Sequence, residues 1–430
     1  MKKNSKALID WKNVEDRNNV ISILNFININ QGRIKKKYIA FINSIDLKKE
    51  GIEFQYKGSF NIWETSVLKE VSFYKSDYLN DVIKIFALKL LVEESDFDNI
   101  IISSLPSRLK PILKTYFNNN NIKCNYNNSI KQKSTLFLFN NNFYHYCKSI
   151  LFLAYHFYSH FFLIVRKPIT TNFKKNKVLL FGYLAHLKTE TFNNNEFRSS
   201  IWGSLPEILK INEVEFNFMD IYVKTKNIYN SKYAHNLINK LNSTEKRHSL
   251  IFSYLEVKDY LKVLVEFVKL QFRFLNVSLI LRKKLIYEGI NLYYLYENDI
   301  KKSFNGVVLL ENLIWNCAFK NFFSSVKEDI NIIYIQENQS WEFILLNNFR
   351  LYNKGKIFSL QNSFLRNWDL RYYNRFSNMN FKPDNYLINS KTAYDSFVFY
   401  GYPKKKIIEL ESLRYSKYKN IHFSKKINKN

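Results

Sequence analysis

Hydrophobic positions along this chain follow two alternating rhythms. Short unbroken apolar runs, typical of strands buried on both faces, alternate with stretches that carry the three-to-four residue spacing of an amphipathic helix. In the first block, to about residue 140, Lys37–Asp46 (KYIAFINSID) reads as a strand. Asn80–Glu94 sets Ile83, Phe86, Ala87, Leu90 and Leu91 on one helical face behind an Asn-Asp start. Asn99–Ser103 (NIIIS) reads as a buried strand, Leu105–Phe117 as a helix and Ile122–Asn125 as a further strand.

The same alternation resumes after residue 176. Lys177–Tyr183 (KVLLFGY), Ile330–Gln336 (INIIYIQ), Lys356–Leu360 and Asn385–Ile388 read as strands, and Glu213–Val223 as extended chain. Ser199–Ile211, Ser340–Asn348 and Ser390–Tyr400 read as helices. Glu256–Leu285 reads as one long helix, with Val257, Leu261, Leu264, Val268, Leu275 and Leu279 along one face. Its basic end, Arg282-Lys283-Lys284, complements the negative C-terminal pole of the helix dipole. The pattern predicts an α/β chain of Rossmann-like parallel sheets with helices on both faces. It divides into an N-terminal α/β region (1–140), an apolar aromatic helix with a basic linker (141–175), a Rossmann-like domain (176–415) and a basic tail (416–430).

Ser149–Val165 (SILFLAYHFYSHFFLIV) is the most apolar stretch, at the lower limit of the roughly 17–25 residues that span a bilayer. Its two His residues weigh against a span. Three placements fit it: a buried core helix, a helix lying on an anionic leaflet with the basic residues that follow it, and a true span. The opening MKKNSKALIDWKN has no apolar run behind its lysines, so no signal peptide is expected. The protein is expected in the cytoplasm, peripheral on the inner face of the cytoplasmic membrane if this helix meets lipid.

Composition narrows the classes. The formal net charge is +28, which favours polyanionic partners: an anionic leaflet, a phosphorylated substrate or nucleic acid. The chain is also crowded with Asn, Lys, Ile, Phe and Tyr, so part of that charge reflects compositional drift towards Lys. The basic residues are spread over the ends and the centre, so no nucleic-acid partner is expected. With only 9 Gly and 6 Pro, and no GxGxxG, GxxxxGK[ST] or GxSxG, the chain lacks the usual signatures of dinucleotide oxidoreductases, P-loop enzymes and α/β-hydrolases. Three distant cysteines fit a reducing compartment and no Cys-rich zinc site.

Two short motifs have metal-like spacing. His156 and His160 stand four apart on one helical face, but no HExxH accompanies them. Asp96-Phe97-Asp98 is a DxD triplet, but it precedes a strand where a cation-binding triplet would follow one. Neither is read as a metal site, and no cofactor is expected.

Polar-aromatic clusters carry more chemistry. They are Gly182–His186 with Arg198–Pro206, then Gln336–Glu342, then Gln361–Tyr373, and last Gly401-Tyr402-Pro403 with Glu411–Tyr415. Three of them begin where a strand is expected to end, the edge at which open parallel sheets bind ligands. Aromatic faces stack on sugar rings, and amides and carboxylates bond their hydroxyls. Trp202, Asn338, Gln339, Trp341, Gln361, Ser363 and Asp369 are therefore candidate substrate contacts, with Arg366 and Arg371 as bidentate phosphate ligands. Glu337 and His186 are candidate catalytic bases, Glu337 the better placed. Each also has a plainer reading, as a core aromatic or a helix cap.

These clusters resemble a family of surface-carbohydrate (O-antigen and capsule) biosynthesis proteins, glycosyltransferase-like and of the two-Rossmann-domain GT-B architecture. The matching strings are SIWGSLPEIL, QENQSWE, NSFLRNWDLRYY, PDNYLIN and GYP…ESLRY, from about residue 180 to 415. A weaker string, SFNIWETSVLKEVSFYKS, extends the match towards residue 59. The resemblance implies transfer of a glycosyl or related group from a nucleotide-activated donor, such as a nucleotide sugar, to a lipid-linked or saccharide acceptor, without an obligatory metal. Two departures stand out. Many relatives carry a His at the position of Asn362, and Asn moves no proton near neutral pH. Moreover, the resemblance places a nucleotide-binding domain after Tyr415, where it is expected to be missing or truncated. The rival expectation is a non-catalytic, acceptor-binding or scaffold half that works with a partner chain.

Overall fold

The computed structural model describes residues 6–413 except 17–18, 46, 48–54, 57–59, 96, 128–141, 167–176, 195–196, 244–245, 362, 375–378 and 412. Asp96 of the DxD triplet, Asn362 and the 416–430 tail therefore lie outside the described residues.

Two parallel sheets organise the chain. The first contains β1 (Lys6–Asp10), β2 (Val20–Ser22), β3 (Asn99–Ser103) and β4 (Lys123–Asn127) in the order β2-β1-β3-β4, every pair parallel. Between them run α1 (Ile23–Ser44), α2 (Leu79–Glu93) and α3 (Lys110–Asn119). Ser22 ends β2 and caps α1, its hydroxyl accepting from the Asn25 amide at 3.1 Å. Of Lys37–Asp46, expected as a strand, 37–44 are instead the second half of α1 and Ile45 caps it. Tyr38, Ile39, Phe41 and Ile42 are buried at helical spacing, and packing against α2 decides between two periodicities that a short apolar run fits equally well.

The second sheet has seven strands: β5 (Val178–Tyr183), β6 (Phe216–Ile221), β7 (His248–Leu250), β8 (Asn331–Gln336), β9 (Ile357–Gln361), β10 (Asn385–Ile388) and β11 (Ile407–Glu409). All pairs are parallel, in the order β7-β6-β5-β8-β9-β10-β11. This is the doubly wound order, with the direction of winding reversing between β5 and β8. Helix α4 (Asn142–Val165) links the sheets. The second sheet is completed by α5 (Leu205–Ile211), α6 (Ser231–Asn242), α7 (Val257–Lys284), α8 (Tyr293–Phe304), α9 (Val307–Ser325), α10 (Ser340–Tyr352) and α11 (Lys391–Phe399). The expected helix over Ser199–Ile211 starts only at Leu205, where Pro206 in the first turn favours a helix start.

The boundaries read from the sequence are crossed by packing. Tyr287, in a hairpin after α7, stacks on Phe86 of α2 at 3.8 Å, and the hydroxyls of Tyr296 and Tyr38 meet at 2.8 Å. Residues 286–304 thus pack against the N-terminal region as well as against α7 and α9. One apolar core runs continuously through both regions, from Ala7 to Ile407. A smaller core on the other face of the second sheet gathers Leu180, Trp202, Phe216, Phe218, Ile335 and Leu360, with Leu205 and Leu209 packed against it.

Candidate functional site

Parallel strands leave their carboxyl ends on one edge, and the loops that follow them inherit that edge. Val14 comes just after β1 of the first sheet, and Arg366, Trp368, Asp369 and Arg371 come just after β9 of the second. These residues line one cavity of about 550 Å³. Its remaining wall comes from Leu24, Ile27 and Asn28 at the start of α1, from Phe73 and Tyr74, and from Asn80, Ile83 and Lys84 of α2. The carboxyl sides of the two sheets therefore share a cleft, and its volume lies within the roughly 300–1,000 Å³ typical of ligand sites.

The cavity is apolar with a cationic rim. Arg366 donates to the Tyr74 hydroxyl. Arg371 is gripped by Asp369 through two bonds, 2.8 Å from Nε and 2.7 Å from an Nη nitrogen, which raises the guanidinium's affinity for its proton. Lys84 donates to the Trp11 carbonyl at 2.9 Å, and burial lowers its ammonium from the ordinary lysine value. Lys35 lies over the Trp368 ring at 4.6 Å and bonds Asn367; burial brings it down to about 8. Among the described lining residues Asp369 is the single carboxylate, so the cavity carries more positive than negative charge.

A second group of expected residues stands where the winding reverses. Asn338 follows β8 in the left-handed region (φ 57°), which Asn tolerates better than most residues. Gln336 donates to Asn338 at 3.1 Å and accepts from Ser359 at 3.1 Å, while the Tyr372 hydroxyl donates to the Gln336 carbonyl at 3.1 Å. Glu337 accepts from the Gln339 side chain. The acid that caps α10 is Glu342, whose Oε1 accepts from the Glu337 and Gln339 amides at 3.0 and 2.9 Å. Glu342 is fully buried, its Oε2 has no hydrogen-bond partner among the described residues, and burial pushes its carboxyl up to about 8.

The remaining expectations divide. Trp341 is buried against Phe181 and Trp315 and donates to Tyr183 at 3.1 Å. Trp202 lies in the core on the far face of the sheet. Both indoles are packing residues here. Gln361 is buried too, bonding the Ser363 carbonyl and the Asn389 amide. The Ser363 side chain is exposed, and neither Ser363 nor Glu337 lines the cavity. His186 follows β5 near Tyr183, and its carbonyl accepts from Ser200. Thus Arg366, Asp369 and Arg371 line one cavity without Glu337, Ser363 or His186, and Tyr372 ties their loop to the Gln336–Glu342 turn. Lys84, Phe73 and Tyr74 join them; Phe73 and Tyr74 lie in the weaker resemblance string, and Lys84 on a helix read from the sequence only for its apolar face.

His156 and His160 are buried on the inner face of α4, His156 against the Tyr260 hydroxyl at 2.8 Å and His160 donating to the His156 carbonyl at 2.9 Å. Among the described residues no three His, Cys, Asp or Glu side chains are grouped to hold a metal ion. No protein-family model matches the chain, nor does any curated protein or solved structure.

Proposed function

We propose that the chain is a group-transfer enzyme of surface-polysaccharide assembly with a GT-B-like arrangement, moving a glycosyl or related group from a nucleotide-activated donor to a lipid-linked or saccharide acceptor. The observation that carries this reading is the cavity where the carboxyl sides of two parallel sheets meet, with Arg366, Arg371 and Lys84 around an aromatic floor. The Arg366 guanidinium and the Lys84 ammonium suit a diphosphate, with Arg371 held beside them by Asp369, and the ring of Trp368 suits a sugar or base face. The first sheet, upstream in the chain, supplies the opposite wall of the cleft. The resemblance of the strings around Trp368 points to the same chemistry.

In the proposed reaction the acceptor hydroxyl attacks the anomeric carbon as the bond from that carbon to the diphosphate breaks. The leaving nucleoside diphosphate takes the electron pair, and Arg366, Arg371 and Lys84 balance its charge. Asp369, the carboxylate in the cavity, takes the acceptor's proton on giving up one of its two bonds from Arg371, a role the sequence suggested for Glu337 or His186. Calorimetric titration of the chain with UDP-, GDP-, CDP- and dTDP-sugars tests the reading. One class should bind, and Arg366→Ala should weaken it by about tenfold or more. No binding by any of them would contradict it.

A further inference from the structure

Helix α7 carries two apolar stripes on opposite sides. Tyr260, Val263, Phe267, Leu270, Phe274 and Leu281 face the core. Val257, Leu261, Val265, Phe272, Leu275 and Leu279 face outward, and Phe272 is 80% exposed. The stripe read from the sequence lies largely on this outward side. A second core-facing set supports the helix from behind, so the outward residues are free to serve something else. Helix α4 repeats the arrangement. His145, Leu153, His156, His160 and Leu163 face inward, while Leu151, Tyr155, Tyr158, Phe161 and Val165 face outward, with Tyr158 81% exposed.

The two outward stripes share one side. Tyr146 stacks on Phe267 at 5.8 Å and Phe157 meets Tyr260 at 5.0 Å, so the contact moves backward along α7 as it advances along α4. The helices are antiparallel. On each, the touching residues lie on the same rotational side of the core stripe, taking about 100° per residue. Opposite chain directions then bring both outward stripes to the same face of the pair.

Charge selects the occupant. Helix α7 holds seven basic and two acidic residues, and α4 holds one lysine and no acid. Lys258, Lys262 and Lys269 flank the outward stripe beside Arg273, each of the three lysines in an ion pair with Glu256, Asp259 or Glu266. Arg282, Lys283 and Lys284 close the helix, leaving the pair with a clear excess of positive charge. A second copy docked here would set like charges together in a chain of net charge +28. An anionic bilayer accepts the aromatic and aliphatic side chains at its headgroup level and attracts the basic ones.

We infer that the outward face of α4 and α7 docks on an anionic lipid leaflet without crossing it. This inference is independent of the chemistry proposed for the cavity. The test is co-sedimentation of the full chain with vesicles of phosphatidylcholine alone and of phosphatidylcholine mixed with phosphatidylglycerol. The chain should pellet with the mixed vesicles, and salt should release part of it. Phe272→Ser combined with Leu275→Ser should weaken partitioning by about tenfold or more, with little change in melting temperature because both side chains are already exposed. Arg273→Glu combined with Lys283→Glu should weaken binding to the mixed vesicles and leave residual salt-resistant association. A chain that stays in the supernatant with both vesicle types would overturn the inference. So would equal binding by the Phe272→Ser/Leu275→Ser variant, or a wild-type dimer that this variant dissociates.

Discussion

The indole N–H of Trp341 donates to the hydroxyl of Tyr183 at 3.1 Å, joining the end of β5 to the start of α10 where the winding of the large sheet reverses. Burial raises the Tyr183 phenol well above its ordinary value, and Glu337 and Glu342 add to the shift, so the hydroxyl stays neutral. Trp341→Phe removes the donor and leaves a small void against Phe181 and Trp315. It should cost ~1–3 kcal/mol in urea unfolding and leave ligand affinity unchanged. An affinity loss without a stability loss would return Trp341 to the binding site.

Glu342 ties stability to pH. Its carboxyl is raised to about 8, chiefly by burial, against an ordinary 4.5. The folded state therefore holds a proton that the unfolded chain has released, and the group's contribution to stability falls as pH rises from about 4.5 through about 8. Glu342→Gln keeps an oxygen for the Glu337 and Gln339 amides without the titration. The melting temperature of the variant relative to wild type should climb from about pH 4.5 to about pH 8, where the fold holds a proton that the unfolded chain has released, and level off above it. A constant difference would show that the carboxyl is not protonated near neutrality.

The buried histidines act in the opposite sense. Burial lowers His156 well below 6.5 and His160 to about 4, so both are neutral in the fold. Below about 6.5 the unfolded chain takes up protons that the fold refuses, and the contribution of the pair is lost as pH falls towards about 4. Acids with raised values, such as Asp299 at about 6, oppose this slope, so the comparison with a variant isolates it. His160→Asn should lose less stability than wild type between pH 7 and pH 4.5 in thermal melts, because one fewer buried imidazole titrates there. Identical slopes would sink this assignment.

Arg371 tests the geometry of the rim. Lysine keeps the charge but not the fork that meets Asp369 at 2.8 and 2.7 Å. Arg371→Lys should weaken nucleotide-sugar binding by about tenfold by releasing Asp369 and the loop around it, while unfolding stays cooperative. Unchanged affinity would show that the Asp369–Arg371 pair does not shape the ligand site.

Much of the large sheet is legible in the sequence because strands such as Val178–Tyr183 are continuous apolar runs, with Leu179, Leu180 and Phe181 buried. Lys37–Asp46 misleads because its apolar residues fit two periods, and only the packing of α1 on α2 separates them. Short strands such as Val20–Ser22 and His248–Leu250 carry too few positions to show a rhythm. In the site, the Arg366–Arg371 loop stands out by composition, and it is placed at the cavity. Trp202 and Trp341 stand out equally, yet they are core residues, since a buried Trp and a sugar platform look alike in one dimension. Lys84, Phe73 and Tyr74 come from the other sheet's region, and only tertiary packing brings them to the loop after β9.

Hydrogen exchange of the full chain with UDP, GDP, CDP and dTDP in turn locates any bound nucleotide directly. The account predicts that the nucleotide that binds slows exchange in three separate segments, at the start of α1, around Phe73–Lys84 and across Arg366–Tyr373, because the cavity draws its walls from all three. Slowed exchange confined to other segments, or none with any nucleotide at saturation, would contradict it.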